Sequence, residues 1–434
     1  MKLSLIITLF TMSLNLTAKD IVFVEETLDN GLQVIYHIDK TAPVVSTVVH
    51  YKVGSKDEDK DKTGYAHFFE HLMFEATDSI PRSEIAKYIN EAGGWLNAHT
   101  SFDETVYKFK VPSNEIQLPL WIESQRMRGL QVEKTGVETQ RGVVLEEKNA
   151  RVDNQPYGTM LEKMLSNLFI GGAYSWATIG DADHIRNATI KNFKDFYDNF
   201  YKPKNAILVI SGNFEYQTTK EYVAKYFGGI TNSDLPVRNN IEVVPFNKDY
   251  TESIIDDKAP LKAVFMGYRG PKLGSDDYYS MNLLANILAA GESSRLYRKL
   301  VDKEQIAVQA SMMPLSLEAD GGIIFYAVAS GDTELEILKE EIEEEIEKIA
   351  EKGISNKELE KTKNITEIDL LTSNKDVLEK AMSLARYKAY YDDPELINSE
   401  IKKYNSITTD DIVNVAKKYL INKNKVVLNY LPKK

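Results

Sequence analysis

The sequence predicts an α+β protein made of two homologous α+β sandwich domains, each a mainly antiparallel sheet covered by helices. The first observation is a helix–turn–strand pattern that occurs twice, at 189–209 and 408–428, with an offset of 219 residues. The second is the pair Ala42-Pro43 and Ala259-Pro260, which precedes a predicted strand in each half at an offset of 217. Because the two offsets nearly agree, we interpret the paired segments as the two ends of one duplicated unit.

Each copy mixes strands with long amphipathic helices. The runs 44–49 and 261–265 are apolar and rich in residues typical of buried strands. Apolar residues recur at helical spacing in four longer segments, namely 115–130, 133–151, 278–290 and 333–352. This mixture favours helices packed on one face of a largely antiparallel sheet.

Turn-forming residues predict the boundary between the copies near 230–245, where Gly228-Gly229 and Pro236 lie close together. We therefore expect an N-terminal domain at 22–232 that carries the chemistry described below. The second, homologous domain is expected at 243–434.

Residues 1–18 are predicted to be a secretory signal peptide, because Lys2 precedes an apolar run from Leu3 to Leu14. That run is too short to span a membrane, which takes ~20 residues. We expect cleavage after Ala18 and export to the periplasm or the extracellular space. No other segment of the sequence is long and apolar enough to predict a membrane span.

Composition and charge exclude several classes of protein. The 434 residues are 43% hydrophobic and 27% charged, as packed domains require, and the net charge is −12. An acidic chain without long basic runs is a poor partner for nucleic acid or for an anionic membrane. The sequence contains no cysteine. It therefore has no thiol nucleophile, and His, Asp or Glu must hold any metal.

The segment 63–74, TGYAHFFEHLMF, carries the strongest chemical signal. On a helix, His67, Glu70 and His71 lie on one face, and two imidazoles one turn apart can reach a single metal ion. A carboxylate between them can accept a proton from a bound water. This H-x-x-E-H pattern inverts the H-E-x-x-H pattern of zinc peptidases. Its neighbours are nearly all apolar, and buried polar groups need partners such as a metal.

A catalytic zinc site needs three protein ligands and leaves one position open. The predicted helix at 138–154 offers three carboxylates for the third ligand, which are Glu138, Glu146 and Glu147. Spacing alone does not choose among them.

Three motifs together resemble the inverzincin metallopeptidases, the family of pitrilysin, insulysin and the mitochondrial processing peptidases. The motifs are HFFEHLMF at 67–74, NAHTSFDETVY at 97–107 and QRGVVLEEKNARVDNQPYG at 140–158. The resemblance runs essentially from residue 22 to residue 434, and it is far more specific than H-x-x-E-H alone.

The resemblance implies one Zn²⁺ per chain, held by His67, His71 and Glu147, with Glu70 as the general base. Many members of the family carry another Glu seven residues before the third ligand, where this chain has Gln140. A glutamine can still hydrogen-bond a ligand but carries no charge.

The resemblance also implies how a peptide binds. In the family this region includes an edge strand that pairs with an extended substrate, so Asn97 and Ala98 are expected to line the site beside the zinc. The neighbouring His99 is expected to line the cleft rather than to bind the metal.

The second copy lacks the ligands. At an offset of 217, the positions of His67, Glu70 and His71 hold Leu284, Ile287 and Leu288. Single-chain and homo-oligomeric active members of the family carry an Arg and a Tyr seven residues apart in a later domain, and the corresponding positions here hold Val301 and Val308. The resemblance therefore implies that a homologous partner subunit supplies the Arg and Tyr pair.

Together these features predict an exported zinc endopeptidase that cleaves peptides or small unfolded proteins in an enclosed chamber, as the catalytic subunit of a heterodimer. One alternative is a self-sufficient monomer or homodimer with a relocated substrate-binding pair. Others are a non-catalytic scaffold subunit of the same fold, which is expected to have a degraded H-x-x-E-H, and a metal-binding or chaperone-like peptide receptor.

Overall fold

The computed structural model describes residues 20–231, 233–236, 238 and 244–433. The predicted signal peptide lies outside the described residues. Residues 232 and 243, the predicted inner limits of the two domains, also lie outside them, so these limits stay a prediction. Within the described ranges, no helix is both long enough and apolar enough to cross a membrane.

Eleven strands form two sheets in this part of the chain. The first sheet has the order β1-β2-β6-β3-β5-β4 and consists of β1 (Val24–Thr27), β2 (Gln33–Ile38), β3 (Val44–Tyr51), β4 (Trp95–Thr100), β5 (Thr105–Pro112) and β6 (Ala206–Gly212). The second has the order β7-β11-β8-β10-β9 and consists of β7 (Tyr250–Asp256), β8 (Ala263–Arg269), β9 (Ala307–Ser316), β10 (Gly321–Ala329) and β11 (Val426–Pro432). Only β2 with β6 and β7 with β11 are parallel pairs. The predicted α+β class with mainly antiparallel sheets is confirmed.

Fourteen α-helices accompany these sheets in the described residues. The first eight are α1 (Tyr65–Leu72), α2 (Glu84–Glu91), α3 (Gln117–Arg128), α4 (Lys134–Lys148), α5 (Met160–Leu168), α6 (Ala182–Asn187), α7 (Ile190–Phe200) and α8 (Tyr216–Phe227). The other six are α9 (Asp276–Ala289), α10 (Leu335–Lys352), α11 (Asn356–Thr372), α12 (Val377–Tyr391), α13 (Leu396–Ser406) and α14 (Thr409–Tyr419). The four long helices predicted from apolar spacing correspond to α3, α4, α9 and α10.

Strand register supports the duplication. His50 of β3 lies opposite Ile207 of β6 in the first sheet. Adding the offsets of 217 and 219 to these positions gives Gly267 and Val426, which lie opposite each other in the second sheet. The parallel pairs β2–β6 and β7–β11 are related by the same two offsets.

The repeated helix–turn–strand segments also fold alike. The hydroxyl of Thr189 accepts a hydrogen bond from a backbone amide in the first turn of α7, and Thr408 caps α14 in the same way. Such caps satisfy backbone donors that have no partner within the helix. Phe193 of α7 and its predicted counterpart Ile412 of α14 are both fully buried.

Each half of the chain contributes one helix that packs against the sheet of the other half. Helix α12 of the second half packs Ala381, Leu384 and Ala385 against Ile35 and Val48 of the first sheet. Helix α5 of the first half packs its buried face against β8 and β11 of the second sheet. The two helices begin 217 residues apart, so they are equivalent elements. Helices therefore cover both faces of each sheet, and the expectation of helices on one face only is wrong.

Candidate metal centre and active site

Helix α1 begins at a position that requires a residue without a side chain. Gly64 has φ of +88°, and a Cβ at this position would meet the carbonyl oxygen of Ile179 at 2.7 Å. The carboxylate of Glu58 accepts hydrogen bonds from the backbone amides of Gly64 at 3.0 Å and Ala66 at 2.7 Å. The indole of Trp176 donates to the same carboxylate at 3.0 Å. These contacts fix the start of the helix.

The apolar face of α1 is anchored in an aromatic core. Phe68 packs against Phe193 with ring centroids 4.4 Å apart, and Phe69 packs against Tyr201 at 4.5 Å. Both phenylalanines are fully buried, and burying such a side chain contributes ~1.5–3 kcal/mol. Because this face is held in the core, the polar face of α1 has a fixed direction.

Three side chains with metal-binding atoms converge on that polar face. The Nε2 atoms of His67 and His71 lie 3.5 and 3.3 Å from the two carboxylate oxygens of Glu147, near the end of α4. One ligand atom from each residue lies within 4.8 Å of the others. No other group of three or more His, Cys, Asp or Glu side chains is this close together among the residues that the structure describes.

The structure distinguishes the three carboxylates that spacing left open. Glu147 faces the imidazoles. Glu138 forms an ion pair with Arg141 at 3.3 Å, and Glu146 is exposed to solvent. One helical turn beyond Glu147, Arg151 contacts its carboxylate at 2.7 Å.

The electrostatics of the cluster suit a cation. The contact with His67 lowers the pKa of Glu147 to about 2, and the positive charge of Arg151 acts in the same direction, against partial burial. Glu147 is therefore an anion at neutral pH. Burial and the neighbouring His67 lower the pKa of His71, which favours the neutral imidazole that binds metals.

A threonine that the sequence analysis did not single out holds Glu70. The Thr100 hydroxyl, at the end of strand β4, donates a hydrogen bond to Glu70 Oε2 at 2.6 Å. No described residue donates a hydrogen bond to the other carboxylate oxygen of Glu70. Thr100 lies within the motif at 97–107, so alternation along β4 could have indicated it, because Ala98 and Thr100 face the same side of the strand.

Asn97 and Ala98 lie on the same strand, at the open edge of the first sheet. The side chain of Asn97 accepts a hydrogen bond from the Ala98 backbone amide at 2.8 Å. An edge strand of this kind has free backbone groups that can pair with an extended peptide. His99 lies 3.2 Å from Glu104 rather than with the His67 cluster.

A series of polar side chains extends from His71 away from the cluster. The side chain of Gln140 lies near the His71 ring and acts to raise the pKa of His71. The Gln140 amide donates to the buried carboxylate of Glu75 at 2.7 Å, and Arg82 pairs with that carboxylate. A fixed partner orients an imidazole and selects its tautomer. Here the uncharged amide of Gln140 lies next to His71, and the negative charge is on Glu75, which contacts Gln140.

The comparisons with known proteins agree with this fold. Residues 33–182 match the family described as "Insulinase (Peptidase family M16)", and residues 187–366 match "Peptidase M16 inactive domain". The chain is 30% identical over 400 residues to the zinc protease PqqE of Helicobacter pylori, covering 91% of this chain and 89% of that protein. An uncharacterized zinc protease of Rickettsia felis is 26% identical, with 90% and 93% covered.

Solved structures of other proteins share this fold. A protease from Helicobacter pylori has a TM-score of 0.90 at 29% identity and covers 95% of this chain and 100% of that one. The periplasmic protease PqqL from Escherichia coli has a TM-score of 0.79 at 19% identity and shares the fold over 48% of its length. Fold and relatives together define a metallopeptidase at the level of family. The chain belongs to peptidase family M16, which confirms the predicted resemblance.

The second half has the corresponding helix but not the ligands. Leu284, Ile287 and Leu288 lie on α9 and are buried in the core of that half. Apolar side chains at these positions cannot hold a metal ion. This agrees with the match of the later part of the chain to a domain described as inactive.

Replacing Gln140 with leucine should weaken Zn²⁺ binding by about 10- to 100-fold, because removing the partner of a metal-binding histidine typically has that effect. Competition with a chelating dye measures the dissociation constant. The matched control is Gln131→Leu, which lies outside the cluster and should leave the constant unchanged.

Exchanging the two side chains, in the double variant Gln140→Glu with Glu75→Gln, should keep most of the affinity. It keeps a hydrogen-bonding side chain at both positions and the single negative charge. Native affinity in Gln140→Leu would contradict a supporting role for this contact.

Proposed function

We propose that this chain is a zinc-dependent endopeptidase in which His67, His71 and Glu147 hold the metal and Glu70 is the general base. The observation that carries the proposal is the convergence of these donor atoms within 4.8 Å, beside a carboxylate on the same helix face. Names of relatives, such as zinc protease, support the choice of metal and the class of reaction.

The donor set fits zinc. Two imidazole nitrogens and one carboxylate are the ligands of many catalytic zinc sites, and three protein ligands leave a fourth position for water or substrate. Zn²⁺ bound by these side chains would polarise the peptide carbonyl and lower the pKa of a nearby water.

The chain's own residues then perform the proton transfers. Glu70 accepts the proton of the water that attacks the peptide carbonyl, and it can pass this proton to the departing amine. The hydrogen bond from Thr100 to Glu70 Oε2 restricts the rotamer of the base and leaves Oε1 available to accept that proton. An extended peptide pairs with the edge strand β4 at Asn97 and Ala98, which places its carbonyl beside Glu70.

Export is part of this proposal. It rests on the sequence of residues 1–18, which favours a cleaved signal peptide and a periplasmic or extracellular location. The substrates we propose are peptides and small unfolded proteins, because only an extended chain can add to an edge strand.

A homologous partner subunit completes the proposal. The negative charge that develops on the peptide oxygen is normally stabilised by donors from the enzyme as well as by a metal. Val308 lies at the start of β9 with 51% of its surface exposed, and Val301 packs against the core of the second half. The side chain of neither valine can donate a hydrogen bond. A second, zinc-free chain with an Arg and a Tyr at these positions would supply the donors.

Two glutamine variants separate the roles of the two glutamates. Glu70→Gln should retain about one zinc per chain and lose peptidase activity by about 10²–10⁴-fold, because it removes the base but no ligand. Glu147→Gln should lose most of the metal and therefore the activity. Metal content by atomic absorption and cleavage of a quenched fluorescent peptide measure both. Full zinc and full turnover in Glu147→Gln would require another third ligand, with Glu146 the first candidate.

The purified chain alone should cleave peptides negligibly, because each missing oxyanion donor decreases the rate by ~10²–10³-fold. Adding the homologous zinc-free chain should restore activity, and replacing the partner's Arg or Tyr should prevent the restoration. Rapid cleavage by the isolated chain would contradict the heterodimer and favour a self-sufficient enzyme.

A further inference from the structure

A large cavity occupies the second half at the place that corresponds to the metal centre. It has a volume of about 960 Å³ and lies between α9, α10, α11 and the segment 297–303. In the order of elements, α9 and α11 are the counterparts of α1 and α4, which carry His67, His71 and Glu147. Ile287, the counterpart of Glu70, contributes to its wall. We name it the cation cavity because Lys and Arg residues line it.

Positive side chains dominate the lining. Seven Lys and Arg residues face three Asp and Glu residues, in a chain whose net charge is −12. Three of the cations are already neutralised: Arg295 pairs with Glu358 at 2.8 Å, and Lys299 and Lys348 pair with glutamates of α10. Four cations have no ion pair among the residues that the structure describes, namely Arg298, Lys303, Lys357 and Lys361.

Apolar groups lie between these charges. Ile287 of α9, Ala290 just after that helix and Ile365 of α11 contribute to the lining, and 38% of the surface of Ile365 is exposed. The volume lies at the upper end of the ~300–1,000 Å³ typical of ligand pockets. A ligand that fills this cavity therefore combines negative charge with apolar surface.

We propose that the cation cavity binds the carboxylates of a peptide, either its C-terminal carboxylate or acidic side chains near that end. The proposal rests on the proposed function, because peptides are the carboxylate carriers that a peptidase meets as substrates and products. Three of the four unpaired cations are lysines, which act as separate point charges rather than as the bidentate fork that arginine offers to a phosphate. Separate point charges suit carboxylates distributed along a chain.

Binding there would act on a part of the peptide that does not react. Contacts remote from the reacting bond can orient the substrate and thereby contribute to catalysis. The second half, which lacks metal ligands, would then hold the substrate. Peptides with acidic or free C-terminal ends would bind more tightly than neutral, amidated ones.

The test uses the full chain carrying Glu70→Gln, which binds peptides without cleaving them. Fluorescence anisotropy measures the dissociation constant of one labelled peptide in three forms: a free C-terminal acid, a C-terminal amide, and the amide with two added internal glutamates. At low salt the acid or the glutamate form should bind about tenfold more tightly than the plain amide. This difference in affinity is the combined contribution expected from several exposed ion pairs. The form that regains affinity identifies the carboxylate that is recognised.

The double variant Lys303→Gln with Lys357→Gln should abolish this preference. Its matched control, Lys194→Gln with Lys402→Gln, removes the same charge from exposed positions outside the cavity and should keep the preference. Equal affinity for all three peptides, or equal behaviour of the two double variants, would overturn the cation cavity as a carboxylate site. Because no turnover is measured, this failure is distinguishable from failure of the proposed peptidase activity.

Discussion

The contact between helix α1 and helix α4 is the constraint on which the site depends. His67 and His71 can reach one point because they lie one helical turn apart, but the third group, Glu147, comes from another helix 76 residues further along the chain. Its carboxylate lies within 3.5 Å of both imidazoles. Polar groups with so little exposure are unfavourable unless they are paired. The cluster is therefore stable only while the two helices remain in contact.

Residues outside the cluster maintain that contact. The aromatic packing of Phe68 and Phe69 holds α1 from the core side, and Glu58 holds its first turn. The exchange of α5 and α12 ties the two halves together, because each sheet buries one face under a helix of the other half. The first half therefore cannot form its complete sheet packing alone, even though it carries every residue of the cluster.

Much of this arrangement could be predicted from the sequence. The i, i+4 spacing of His67 and His71 is a property of any α-helix, and the offsets of 217 and 219 anticipated the strand register of the second sheet. The choice of Glu147 over Glu146 could not be read from spacing, because it depends on which face of α4 meets α1. It came from the resemblance alone until the packing of the two helices was known.

The unpredicted parts are those that depend on tertiary contacts. An apolar helix face such as that of α12 indicates burial but does not say which sheet it covers. The contact of Thr100 with Glu70 depends on where β4 lies relative to α1, and the link from His71 through Gln140 to Glu75 joins three separate segments. Local patterns contain no information about such contacts, since neither propensity nor periodicity extends beyond one element.

We expect one zinc ion to be held where α1 and α4 meet. Anomalous X-ray diffraction from crystals of the zinc-loaded protein, measured on both sides of the zinc absorption edge, locates the ion. The expected result is one peak per chain, about 2.0–2.2 Å from the Nε2 atoms of His67 and His71 and from a carboxylate oxygen of Glu147, and no peak beside α9. A peak coordinated by other residues, or no peak at this position in fully loaded protein, would contradict it.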